Sequence, residues 1–246
     1  LVEIDPENFQ RERRSNSMIA NVYLEYEFIP GLKFKTSYSA YNNNQRDGDY
    51  RGTYTKSQKG SRNPKATTNN LKTSNYTLDN TLNYQKQFGK HSIDAVALFS
   101  VFEEYRESMQ ISVEDLPYRS LWHNTGSGAT IKAYNTNLEE YSIVSYMGRI
   151  NYSYDDKYLL TVTGRRDGAS QLAEGNKWAF FPSAAIGWRM SEEAFIRDLG
   201  LFSNLKLRAS YGEVGNNSSI NPYATQPNIY QTYYDFDGSA SLGYTI

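Results

Sequence analysis

With 246 residues, and 26 Lys+Arg set against 27 Asp+Glu, the chain can bury a sizeable core but carries no net field towards nucleic acid or acidic lipid. It has no cysteine, which excludes disulfide frameworks, thiolate metal sites and cysteine nucleophiles; two histidines, His91 and His123, leave almost no room for a His-rich metal centre. A mean hydropathy of −0.70 combined with 22 tyrosines is too polar for transmembrane helices and too aromatic for ordinary disorder.

The chain opens at Leu1 without an initiating methionine or leader and breaks off at Leu242–Ile246 without a tail, so it reads as a piece of something larger. Period-two alternation starts at Met18: Ala20, Val22, Leu24, Tyr26 and Phe28 lie on one face, with Asn21, Tyr23, Glu25 and Glu27 on the other. After Ile29-Pro30-Gly31 it resumes with Leu32, Phe34, Thr36 and Tyr38 opposite Lys33, Lys35, Ser37 and Ser39. A hairpin pairing Phe28 with Leu32 sets Tyr26 beside Phe34, Glu27 beside Lys33 and Glu25 beside Lys35, so both faces match in chemistry.

A second hairpin carries Tyr76, Leu78, Leu82 and Tyr84 with Asp79 on the opposite face, turns at Gly89-Lys90, and returns through Ile93, Ala95, Ala97, Phe99 and Val101. That turn pairs Tyr84 with Ala95 and Leu82 with Ala97. In the third pair Val144, Tyr146, Gly148, Ile150, Tyr152 and Tyr154 alternate with Ser145, Met147 and Arg149. Asp155-Asp156-Lys157 then turns the chain into Tyr158, Leu160, Val162 and Gly164, although a glycine is expected in that turn. A fourth pair runs from about Phe180 to Met190 and returns from Leu205 to Tyr211. Between its strands, Ser191–Ile196 reads as a short helix with Ser191 as N-cap.

The turns at Pro30, Gly89 and Asp155 are two or three residues long, whereas the segments near 42–74, 110–137 and 212–246 read as long polar loops. Short turns at one end, long loops at the other, and strands of roughly 10 to 12 residues suit a transmembrane β-barrel. The alternative is a soluble β-sandwich, whose apolar stripe would face a second sheet. Tyr26, Tyr84, Tyr152, Tyr154, Tyr158 and Trp188 all fall at the short-turn end of the apolar stripe, as an interfacial aromatic girdle requires, and favour the barrel.

Three blocks then carry a family resemblance: Tyr146-Met147-Gly148-Arg149-Ile150-Asn151-Tyr152, Arg165-Arg166-Asp167-Gly168-Ala169-Ser170, and Trp178-Ala179-Phe180-Phe181-Pro182-Ser183 with Gly187-Trp188-Arg189. With Leu205–Gly212 and Pro30–Ser37, they resemble the barrel of SusC/RagA-like TonB-dependent outer-membrane transporters. The resemblance implies an all-β fold: an antiparallel up-and-down transmembrane β-barrel of about 22 strands, of which about eight lie here, with one short helix in a turn. Residues 1–246 would then be part of the barrel domain, without the plug domain and TonB-contacting segment. It further implies an integral outer-membrane location, the TonB complex and a SusD-like surface lipoprotein as partners, and an oligosaccharide or peptide as cargo. The runner-up function is a soluble carbohydrate-binding module using its tyrosines for stacking.

No motif joins His91 or His123 to a nucleophile, and no enzyme activity, cofactor, metal site or nucleic-acid partner is expected. Asp235-Phe236-Asp237-Gly238 has part of a calcium-loop pattern but lacks the later ligands, and an ordinary turn is the better reading. Under the barrel reading Glu25, Glu27, Lys33, Lys35, Asp79, Arg149, Arg165, Arg189, Lys206 and Arg208 face the lumen or plug. Arg165 can be read as a cargo or plug contact, or as the partner of Asp167 at the strand end, and the second reading is favoured. The candidates for cargo are the loop aromatics and their neighbours, namely Trp122, His123, Tyr134, Trp178, Tyr223, Tyr230, Tyr233 and Tyr234. Such rings offer a flat apolar face to sugar C–H groups, and a phenol, indole or imidazole adds a polar edge.

Overall fold

The computed structural model describes residues 7–58, 63–119, 121–227, 229–236 and 239–245. Eight strands pair antiparallel in strict chain order: β1 (Phe9–Ile29), β2 (Leu32–Arg51), β3 (Lys65–Phe88), β4 (His91–Glu114), β5 (Thr130–Tyr154), β6 (Tyr158–Ala169), β7 (Trp178–Arg189) and β8 (Lys206–Gly212). This is an all-β, up-and-down sheet. Among the described residues β1 and β8 are its two edges, each paired on one side alone.

Complementary faces and tight turns set the register. Tyr26 pairs with Phe34, Glu27 with Lys33 and Glu25 with Lys35, as the hairpin chemistry requires. The last pair is Ile29 with Leu32 rather than Phe28 with Leu32; the ladder shifts between Glu27 and Ile29, so Phe28 takes a bulge and packs edge-on against Tyr26 at 5.1 Å. Tyr84 pairs with Ala95 and Leu82 with Ala97 across a turn with Gly89 at φ +56°. The β5–β6 turn manages without glycine because Asp155 and Asp156 both take left-handed backbone, at φ +50° and +53°, where aspartate is among the better-tolerated residues. The Lys157 N–H closes it by donating to the Tyr154 carbonyl at 3.0 Å.

Three expectations are corrected. The first five strands are 20 to 25 residues long, not 10 to 12. Much of 42–74 and 110–137 is strand rather than loop, and within these segments 52–64 and 115–129 are the connections between strands. A spanning strand needs about 9 to 11 residues, so the polar halves of β1–β5 project as a sheet well beyond the apolar band. The third segment, 212–246, also holds structure: β9 (Tyr230–Phe236) and β10 (Ser239–Thr245) form a separate two-stranded hairpin. The short helix α1 spans Ala194–Arg197 with Glu193 as N-cap; Ser191 lies in the preceding 3-10 turn, because the chain stays extended at Glu193 (φ −77°, ψ 136°) before it coils.

A β-sandwich does not form. Its apolar stripe would be covered by a second sheet, yet Val22, Ile150 and Ile186 are 63%, 55% and 61% exposed, and among the described residues the other sheet is the β9–β10 hairpin alone. The buried apolar cluster lies instead at the outer end, where Tyr50, Ala66, Val113, Leu116 and Trp122 pack together.

Candidate functional site

Following the pairs across the sheet assigns every strand residue to a face. Val22, Tyr38, Leu78, Val101, Val144, Gly168 and Trp178 form one continuous row of the apolar face. The opposite face carries all ten charged residues singled out in the sequence: Glu25, Glu27, Lys33, Lys35, Asp79, Arg149, Arg165, Arg189, Lys206 and Arg208.

Their contacts differ in kind. Glu27 accepts the Gly31 N–H at 2.8 Å and lies 3.9 Å from Lys33 Nζ. Lys35 sits directly opposite Glu25, yet its ammonium stands 4.5 Å from the centroid of the Tyr23 ring, a cation–π contact on the same face. Arg149 Nε donates to Thr163 Oγ1 at 3.2 Å. The Arg165 Nε donates to both Asp167 carboxylate oxygens at 2.8 Å, and its Nη2 reaches Ser145 Oγ at 3.1 Å. Arg165 is therefore held by Asp167, two residues along the same face.

On the outward extension the same face becomes a ladder that the sequence reading missed. Arg13 forks onto Asp47 through Nε at 2.8 Å and Nη2 at 3.1 Å, and Arg11 Nε donates to Asp49 at 3.0 Å. The hydrogen bond from Arg13 holds the Asp47 carboxyl below its usual pKa. Tyr41 and Tyr141 join this face through the row Ile19, Tyr41, Asn75, Glu104, Tyr141. Carrying the period-two parity on past Ala40 would have found them.

The expected cargo aromatics disperse. Trp122 is fully buried and belongs to the outer core. Arg46 and Arg14 lie 4.9 and 5.8 Å from its ring centroid, its carbonyl accepts from Thr68 Oγ1 at 2.9 Å, and a Cβ added at Gly48 would come within 1.9 Å of the indole. It has no free face for cargo. His123 lies against that indole, ring centroids 4.2 Å apart.

Trp178 starts β7 on the apolar face, stacked on Tyr146 at 6.0 Å under the Arg166 guanidinium at 4.9 Å, and so belongs to an outer girdle. Tyr223 accepts the Glu140 backbone N–H at 3.1 Å and caps part of β5 that β6 leaves unpaired. Tyr134 is a strand residue of β5 rather than a loop residue, exposed on the apolar-face side. Tyr233 and Tyr234 are exposed on β9, and the Tyr230 side chain lies outside the described ones. Asp237 and Gly238 of the Asp235–Gly238 turn also lie outside the described residues.

At the short-turn end, Tyr154 stacks on Tyr158 and Tyr158 on Trp188, each at 6.4 Å. His91 shares a hydrogen bond of 2.7 Å between Nδ1 and the Tyr152 hydroxyl and stacks on Phe88 at 5.2 Å, a packed girdle position. Glu193 receives Tyr158 and Trp188 from the girdle, and Lys157 Nζ lies 3.6 Å away. These contacts, the Tyr158 hydrogen bond above all, hold its carboxyl below the usual glutamate pKa.

Comparison with known proteins agrees with this arrangement. The family model for "TonB dependent receptor-like, beta-barrel" matches residues 4–245. TonB-dependent receptor P3 of Formosa agariphila is 36% identical over 223 residues, 90% of this chain and 22% of that protein. TonB-dependent receptor SusC of Bacteroides thetaiotaomicron is 43% identical over 86 residues, 35% of this chain and 9% of SusC. Among solved structures the RagAB peptide transporter superposes with a TM-score of 0.84 over 98% of this chain and 27% of that one, at 20% identity, a likeness of fold. The chain spans about a fifth of the length of P3.

Proposed function

Because the chain belongs to the TonB-dependent receptor-like β-barrel family, we propose that residues 1–246 form part of the barrel domain of an integral outer-membrane transporter that imports an oligosaccharide or peptide nutrient. One observation carries this reading: the separation of an exposed apolar face from a charged face across eight strands, with aromatic stacks at both ends of the apolar one. In this reading the apolar face meets lipid and the ten charged residues face the lumen or plug, where charge remains solvated.

The protein works by binding and gated passage. A plug domain outside these residues takes force from the TonB complex, and a SusD-like surface lipoprotein works with the long outer ends of the strands. Tyr233 and Tyr234, exposed on β9, are the remaining aromatic candidates for a cargo or lipoprotein contact.

The test uses the full-length protein in its own bacterium. We expect it in the outer-membrane fraction, and we expect its deletion to abolish growth on one glycan or peptide source to the same degree as loss of TonB. Recovery in a soluble fraction, or uptake that persists without TonB, overturns the reading.

A further inference from the structure

Beyond β8 the chain does not continue away from the sheet. The Glu213 N–H donates to the Pro182 carbonyl at 3.0 Å, and residues 213–222 then cross the charged face of β5–β7. At Gly215 the backbone passes so close to Phe181 that an added Cβ would lie 2.4 Å from its ring.

This strap is clamped by a single buried side chain. Gln171, 5% exposed, donates through Nε2 to the Ile220 carbonyl at 3.1 Å and accepts from Asn217 Nδ2 at 3.1 Å. A buried amide satisfied on both sides holds a segment of backbone in one place.

Beneath the strap lies a cavity of about 430 Å³. Its sheet side includes Ile143, Ala179 and Phe181, its strap side Asn216, Asn217 and Ile220, and the Arg165–Asp167 pair lies along one edge. A second cavity of about 460 Å³ shares Ile143, Asn217 and Ile220 and adds Glu104, Arg106 and Glu139.

The geometry points to residues 213–222 as a specificity strap, forming with Ile143, Ala179 and Phe181 a pocket for an apolar side chain of a peptide cargo. This rests on the reading of the charged face as the lumen. An aliphatic side chain set against Ile143, Leu172, Ala179, Phe181 and Ile220 gains by transfer from water, whereas a sugar ring, hydroxylated all round, finds polar partners only along the Asn216–Asn217 and Arg165–Asp167 edge. The neighbouring cavity, with charges of both signs, suits the amides and charged groups that flank such a side chain. Arg165, held by Asp167 and Ser145, shapes the pocket wall here.

The experiment uses the full-length transporter in detergent, offered a tryptic digest of casein; retained peptides are eluted and identified by mass spectrometry. The wild type is expected to enrich peptides bearing leucine, isoleucine or valine. Ala179→Phe, which fills the cavity, and Ile220→Ser, which changes only the strap, are each expected to reduce that enrichment at least tenfold. Heat-modifiable gel mobility verifies that both variants fold. Unchanged enrichment in folded variants, or no peptide retained by the wild type, overturns the pocket. Outer-membrane location and TonB-dependent uptake are measured separately, so a transporter that passes those tests but retains only a neutral oligosaccharide sinks this inference and leaves the proposed function standing.

Discussion

The Tyr158 hydroxyl donates to Glu193 Oε1 at 2.7 Å, so the girdle of the short-turn end is tied to the segment that joins β7 to β8. The Trp188 indole N–H reaches the same oxygen at 3.2 Å. One carboxylate thus gathers two interfacial rings, Tyr158 and Trp188, that themselves stack.

Glu193→Gln should lower the thermal midpoint of the full-length protein in detergent by a few degrees at neutral pH. Because folding depresses the Glu193 pKa, the ionised form is the stabilising one. The difference between wild type and variant is complete above the ordinary glutamate range and disappears as pH falls through the lower folded-state value. A difference that grew on acidification would contradict the assignment.

The facing of β5 is tested by a pair of adjacent substitutions. Ile150 pairs with Ala95 and Val162 on the apolar face, and Asn151 with Asp94 and Thr161 on the other. Ile150→Arg should cost about 2 to 4 kcal/mol at mid-bilayer and reduce the folded fraction seen by heat-modifiable mobility, while Asn151→Arg assembles normally. Equal assembly of the two would refute the facing.

Gly48→Val should dislodge Trp122, since the indole occupies the space a side chain at position 48 needs. Overpacking of this kind costs about 1 to 3 kcal/mol. Limited proteolysis would show it as new cleavage within 115–129, with the membrane-band strands still protected.

Asp156→Gly should be neutral or stabilising. A non-glycine residue in left-handed backbone costs roughly 1 to 2 kcal/mol, part of which glycine returns as unfolded-chain entropy. Asp155 is left in place because it pairs with Lys90 at 3.1 Å and Lys157 at 3.7 Å. A clear loss of stability on urea titration would show that Asp156 makes a contact of its own.

Cross-strand pairing is local along the chain, which is why so much of the lower sheet was legible. Glu25 and Lys35, or Leu82 and Ala97, are brought together by a turn of two or three residues, and a one-residue slip would exchange the faces of a whole strand. Alternating residues and turn chemistry therefore determine the all-β class, the order of the hairpins and the face of each charged side chain, including the Arg165–Asp167 pairing. The outer half was opaque for the opposite reason. In 42–51 and 65–74, polar and charged residues predominate on both faces, and such a segment is strand or loop according to whether a neighbour offers a ladder. Only the tertiary structure decided that Trp122 is buried by Gly48, Thr68 and two arginines, and that Gln171 draws residues 213–222 across the charged face. Both depend on contacts between segments some 45 to 110 positions apart, and no periodic pattern records where a polar segment of the chain will come to rest.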